Sequence, residues 1–302
     1  MDLDWSKAKS ILIVIFVILN LFLAGVIIKL ANDEGISQDT IENAKKALLN
    51  RGVIVNSEIP LYNKKIGTLV YGDESINKKR IVKNFLGQEE YIKEELTEDL
   101  EEGSKENLKE DLEESAKEKN MSQEIIEKDG KEIIFKDNDN FIYKNKNLSY
   151  IISADKSSGE VLDSLKKLFK GTGVPINQFV FDKMENGDTY IFRQKYNEFW
   201  IFENYISVLM SKEDVLQLEC RYRKIDGIEQ GSDILTAHQV LIKNHDSIKD
   251  IEIVAIDLGF KEIAVQNGAR ETTDDIPVWR IRTSGDEEVF YRVYDGEKIN
   301  TQ

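Results

Sequence analysis

The chain has 302 residues, 32% of them charged, with 56 Asp or Glu against 41 Lys or Arg and a net charge of −15. That charge repels nucleic acid and anionic headgroups, which excludes both as partners for the bulk of the molecule. A single cysteine, Cys220, excludes an intrachain disulfide and a cysteine-based metal site, so the folded parts are held by packing alone.

Ile11 to Ile28 form an apolar run interrupted only by Asn20 and flanked by Lys7, Lys9 and Lys29. At helical rise the run is about 27 Å long, close to the thickness of a bilayer's hydrocarbon core. The late small-residue site that would mark a cleaved signal peptide is spoiled by Lys29 in Lys29-Leu30-Ala31, and no cysteine follows closely enough for a lipoprotein. The segment therefore reads as a retained single-pass anchor over 10–30. Lys7 and Lys9 place a cytoplasmic tail at 1–9, with everything from Ala31 onward outside the cell membrane. Asn20 is costly facing lipid; it is either tolerated in a strongly apolar helix or used in pairing with another helix.

Beyond the anchor, Ile41, Ala44, Leu48 and Leu49 predict a helix over Ile36–Leu49 closed by Gly52. β-like runs follow at Val53–Ile59 and Ile66–Tyr71, then a helix over Ser75–Leu86. The stretch Glu94–Lys119 has only a thin leucine stripe, and 94–132 holds sixteen Asp or Glu against six Lys. It reads as an insertion, either solvated and partly helical or disordered, with an acidic interaction tail as the sharper alternative.

Three short strands are predicted at Glu132–Lys136, Asn140–Lys144 and Leu148–Ser153. Asp137-Asn138-Asp139 is a hairpin turn and not a calcium loop, since the required glycine and closing glutamate are missing. Ser157 and Glu160 have capping-box spacing ahead of the apolar face Val161, Leu162, Leu165, Leu168 and Phe169. Strands follow at Phe179–Lys183, Thr189–Tyr196, Phe199–Met210 and Val215–Tyr222, with Asn186-Gly187 as a turn. Cys220 alternates with Glu219 and Arg221 and reads as a small buried hydrophobe. The last block is a helix over Ser232–Asn244, a strand over Ile251–Leu258 and a hairpin of Val278–Thr283 with Glu288–Tyr294. The pattern is α+β, with a first domain at 31–156 and a second at 157–302.

His238 and His245 lie roughly 10 Å apart along one helix face, too far for one metal ion. Gly171-Thr172-Gly173 follows a helix and cannot cradle phosphate, and neither a nucleophile elbow nor a His-Glu-x-x-His signature is present. No catalytic residue, cofactor site or metal site is expected.

Met1-Asp2-Leu3-Asp4-Trp5-Ser6-Lys7 running into Ile11–Phe22, Arg193-Gln194-Lys195-Tyr196 with Ile201-Phe202, Ala237–Ile242, Leu258-Gly259-Phe260, Pro277–Ile281 and Tyr294–Glu297 together resemble the YycI branch of the YycH/YycI family. The acidic stretch departs from that pattern. The resemblance implies two extracytoplasmic α+β modules with antiparallel sheets, PepSY-like or YycH-like. It also implies a non-enzymatic regulator of a WalK/YycG-like sensor histidine kinase that binds a YycH-like sister protein. Asn20 and the aromatic residues Tyr196, Phe199, Trp200 and Phe202 are the expected partner contacts. A free-standing PepSY-like inhibitor or ligand-sensing domain is the alternative, with an external hydrolase behind it.

Overall fold

The computed structural model describes residues 5–32, 37–73, 76–87, 124–148, 156–212, 214–267 and 270–300. The fold is α+β, with five α-helices and a large, mostly antiparallel sheet among these residues. The acidic stretch 94–119, Ser75, and all but Leu148 of the strand expected at Leu148–Ser153 lie outside them.

Helix α1 spans Trp5–Asn32 and contains the expected apolar run. Its large side chains from Leu12 to Leu23 are exposed around the whole circumference. Among the described residues no helix is long and apolar enough to cross a membrane.

The other helices begin where their caps dictate. Ser37 accepts the Thr40 N–H to start α2, Gln38–Leu49, which buries Ile41, Ala44 and Leu48. Asn77 accepts the Arg80 N–H to start α3, Lys78–Leu86, and Gly87 ends it in the left-handed conformation. Both halves of the Ser157–Glu160 box form at the start of α4, Ser158–Leu168. Helix α5 is shorter than expected, Ala237–Lys243, because Thr236 caps it while Ser232 bridges to Ile66 as an extended residue. A 3₁₀ turn, His245–Ile248, follows it.

The strands are β1 Ile54–Val55, β2 Leu69–Tyr71, β3 Glu124–Lys128, β4 Lys131–Phe135, β5 Asn140–Asn145, β6 Phe179–Glu185, β7 Thr189–Tyr196 and β8 Phe199–Met210. They continue with β9 Val215–Arg221, β10 Ile225–Ile228, β11 Glu252–Asn267, β12 Arg270–Thr283, β13 Glu288–Arg292 and β14 Lys298–Ile299. The chain divides into two compact units, each discontinuous: Met1–Ile66 with Ser232–Asp257 and Trp279–Gln302, and Gly67–Gly231 with Leu258–Val278. This differs from the serial boundary at 156/157 expected above. The physical reason is that β11 and β12 are long enough for each to contribute one part to each unit.

In the second unit the order β3-β4-β5-β9-β8-β7-β6 is antiparallel throughout, and the Leu258 end of β11 joins β8 in parallel at Gly259↔Trp200. A β-carbon on Gly259 would sit 2.3 Å from the Trp200 carbonyl, so only glycine permits this approach. Helices α3 and α4 cover the sheet, with Phe85 edge-on to Phe141, Tyr143 and Phe169 at 5.1–5.6 Å. Each such buried ring contributes about 1.5–3 kcal/mol. Strand β6 pairs only with β7 among the described residues. It carries a register shift between Phe181 and Lys183 and a fully buried Asp182 bonded to Arg193, two devices that discourage another strand from adding to that edge. β2 and β10 form a separate ribbon.

In the first unit β1 lies parallel to the start of β11, and β14, β13 and the end of β12 are neighbours. Its core includes Leu48, Val53, Leu241, Ile253, Trp279 and Tyr291. Trp279 Nε1 donates to the Leu235 carbonyl at 2.8 Å, which satisfies the indole as it is buried.

Candidate functional site

Asn20 lies mid-way along α1, where its Nδ2 donates to the Phe16 carbonyl of its own helix at 2.8 Å. This bond to the fourth residue back satisfies one amide hydrogen and lowers the cost of an amide among apolar side chains. Among the described residues its carbonyl oxygen and second amide hydrogen make no further bond.

The aromatic residues stand differently from Asn20. Phe199, Trp200 and Phe202 are buried, Phe199 against Phe260 at 5.6 Å. The ammonium of Lys195 lies 4.3 Å from the centre of the Trp200 ring. Tyr196 is half-buried. The alternation that marked this strand pair belongs to core packing, and it presents no aromatic surface apart from the partly exposed Tyr196.

A polar constellation that sequence reasoning missed lies beside it. Between Arg193↔Tyr205 and Gln194↔Ile201 the β7–β8 register slips, so Phe202, Glu203 and Asn204 bulge from the ladder. Asn204, fully buried, donates to Gln194 Oε1 at 2.6 Å, and Gln194 donates to Gln178 Oε1 at 2.6 Å. Arg193 donates to Asp182 at 2.8 Å and to the carbonyl of Phe202.

On the other face of β9, opposite the buried Leu218, Cys220 and Tyr222, the arginines gather carboxylates. Arg221 pairs with Glu203 at 3.0 Å and with Glu262, and Lys261 also reaches Glu203 at 3.3 Å. Arg223 pairs with Asp275 at 2.7 Å, lies 3.5 Å from Glu262, donates to the Tyr71 hydroxyl at 3.1 Å and stacks 4.1 Å from that ring's centre. Three acids and three bases thus form one nearly neutral, half-buried network.

Burial pushes the Asp275 carboxyl above the usual carboxylate range, and Glu262 nearby adds to this, against the pull of Arg223. Burial would also raise Glu262, but its bond to Thr273 and the charges of Arg221 and Arg223 hold it below its ordinary value. Tyr71 is raised by burial and by the Asp275 charge. Asp275 Oδ1 and Arg223 Nε are buried without a hydrogen-bond partner among the described residues. In the first unit, Arg280 is fully buried with Asp257 at 2.9 Å and Glu288 at 3.1 Å.

An open groove of about 580 Å³ runs between α2 and α5, lined by Thr40, Ala44, Ala47, His238, Gln239 and Ile242, among others. His238 Nδ1 is 3.0 Å from the Thr236 hydroxyl, and burial lowers the pKa of its ring, so it is neutral at pH 7. His245 contacts the Ile242 carbonyl and Asp246 and does not share a site with it. Among the described residues no group of three or more His, Cys, Asp or Glu is placed to hold a metal ion. Cys220 is fully buried and burial drives its thiol pKa far up, which leaves the thiol inert.

The sequence model of the family described as YycI protein matches residues 31–294. The chain belongs to the YycI family. No curated protein matches it. The YycI family is a regulatory one associated with the WalK/YycG two-component system, as the resemblance implied. The match spans parts of both units and includes the Arg221–Arg223 network and the α2–α5 groove. It begins at Ala31, so Asn20 and most of α1 precede the YycI region.

Proposed function

We propose that the chain is a non-enzymatic regulator of a WalK/YycG-like sensor histidine kinase, anchored in the cell membrane by α1 with the Trp5 end cytoplasmic and both units outside. The observation that carries this reading is the YycI match over 31–294 directly behind a helix of 28 residues with apolar side chains exposed on all sides. A helix apolar all round belongs in lipid or in a protein core, and the described side chains of α1 lie in no core. The contacts proposed are of two kinds: α1 beside a helix of the kinase or of a YycH-like sister protein, with Asn20 as the polar contact, and the surfaces of the two units outside the membrane. Tyr196 is the one member of its aromatic group exposed enough to take part.

Co-purification of the full-length protein from native membranes tests the reading: a kinase of this type and a YycH-like protein are expected in the eluate. A reporter fused after Gln302 is expected to be active only outside the cytoplasm. The α2–α5 groove favours a second reading, a PepSY-like inhibitor or ligand-sensing domain. That reading takes over if no kinase or sister protein is recovered while the protein binds a peptide or small ligand and Ala47→Leu, at a partly exposed position of the groove, abolishes that binding.

A further inference from the structure

The groove between α2 and α5 in the first unit has a volume of about 580 Å³ and lies open to solvent. Ala44, Ala47 and Ile242 give it an apolar floor, with the neutral His238 ring beside them. The helices that wall it have spent their main-chain N–H and C=O groups on their own turns. An extended peptide laid there would lose water from its backbone and find no partner for it, whereas a helix arrives with its backbone already bonded. An open groove also leaves uncovered much of a small ligand, which a closed pocket buries by roughly 70–90%.

The groove ends in positive charge. Arg51 follows Ala47 by one turn's spacing, just beyond α2, and its Nη1 lies 3.4 Å from His245 Nδ1, which brings the end of α2 to the end of α5. Lys243, the last residue of α5, lines the groove and donates to the Asp295 carbonyl. Both cations are exposed and neither has an ion pair among the described residues; the nearby Asp246 carboxylate lies on His245 at 3.2 Å. Asn32 ends α1 and Ser37 caps α2 five residues later, so the two are no more than about 18 Å apart whatever the path between them. A helix leaving a bilayer beside α1 covers that distance in roughly three turns.

We propose that the α2–α5 groove takes an amphipathic helix of a membrane-bound partner, the segment that follows the partner's own membrane span. Its apolar face lies on Ala44, Ala47 and Ile242, and an acidic side chain beside that face meets Arg51 and Lys243. This rests on the reading of α1 as an anchor that runs beside a partner's helix. The net charge of −15 opposes an acidic partner at long range, so recognition is local, within a Debye length of about 8 Å of the two cations. The apolar floor supplies contact area and the cations supply register, since a helix shifted by one turn would bring its acid to Ala47 and leave Arg51 unmet.

Photo-crosslinking amino acids placed singly at Asn43, which lines the groove, and at Leu21, beside Asn20, test the proposal in the full-length protein in native membranes, with the links mapped by peptide mass. Both positions are expected to capture one partner, Leu21 at its membrane span and Asn43 at an acid-bearing helix just beyond that span. Arg51→Gln with Lys243→Gln, both at exposed positions, is expected to lower the Asn43 link roughly five-fold and to leave the Leu21 link unchanged. An Asn43 link of this kind without a Leu21 link supports the groove and removes the Asn20 contact. A Leu21 link without an Asn43 link overturns the proposal and leaves the regulator reading standing, and links from neither position overturn both. Asn43 links to an extended segment, to a second copy of this chain or to a partner without a membrane span, or links indifferent to the loss of Arg51 and Lys243, also overturn it.

Discussion

Asn204 replaces a missing ladder rung beside Arg223: its Oδ1 accepts the Arg223 N–H at 2.9 Å, and its Nδ2 donates to the Arg223 carbonyl at 2.7 Å. The carboxamide acts as a peptide group where the bulge in β8 breaks the backbone pairing. Chain direction at Arg223, and with it the whole charged network, depends on this substitution of side chain for main chain.

Asn204→Leu would leave both backbone groups of Arg223 buried and unpaired, at a cost of about 3 kcal/mol. Urea unfolding followed by tryptophan fluorescence measures the loss. Asn204→Asp restores only the acceptor half and is expected to fall between the two.

The pH dependence of the network follows from Asp275. Its folded pKa lies above the unfolded value, so the native state takes up a proton first as pH falls. Its contribution to stability therefore rises from neutral pH down toward the ordinary carboxylate range and is flat below that. Glu262, held low, acts in the opposite sense and loses its contribution only below that range. Melting temperatures between pH 7 and pH 4 are expected to show a component that grows with acidification in the native protein and vanishes in Asp275→Asn.

Gly259→Ala places a methyl group 2.3 Å from the Trp200 carbonyl and 2.7 Å from the Phe202 ring. The parallel contact of β11 with β8 must widen, with an expected loss of about 1–3 kcal/mol. Loss of amide-exchange protection concentrated at 200–202 and 259–260 would localise the effect.

Asn20→Leu removes the bond to Phe16 without harming the helix, since leucine is the better helix former. Loss of one interhelical polar contact of about 1 kcal/mol lowers the recovery of the proposed kinase roughly five-fold. Membrane extraction of the variant in the same fraction as the native protein keeps anchoring and partner contact apart.

Local features were legible in the sequence because local chemistry decides them. The Ser157–Glu160 box and the Asn186-Gly187 turn, with φ of 52° and 77°, form as their residue types require. Strand β3 escaped notice because Glu124–Lys128 mixes charge with isoleucine beside an acidic run and is only half covered. The Arg270–Asp275 part of β12 is polar and reads as loop, yet it continues the strand. The charged network could not be read, since Tyr71, Glu203, Arg221, Arg223, Glu262 and Asp275 meet only through sheet pairing across two hundred residues. Its one local trace was the alternation of Glu219 and Arg221 with Cys220. The burial of Phe199, Trp200 and Phe202 could not be read for a related reason: alternation identifies two faces of a strand but not whether a helix or another strand covers the second one.

Because β11 and β12 each serve both units, the order of synthesis and the order of folding diverge. The unit that begins with Met1–Ile66 is completed only by Trp279–Gln302, and the other cannot close before Leu258–Val278 has emerged. A chain made from its amino terminus thus carries Leu48, Val53 and their neighbours without their partners in α5 and β11 until Ser232–Asp257 has been made, and their unit is complete only with Trp279–Gln302. Such late long-range closure is slow and exposes apolar surface in the interval. Truncation from the carboxyl end, even by the last hairpin, would leave the unit of the earliest-made residues incomplete.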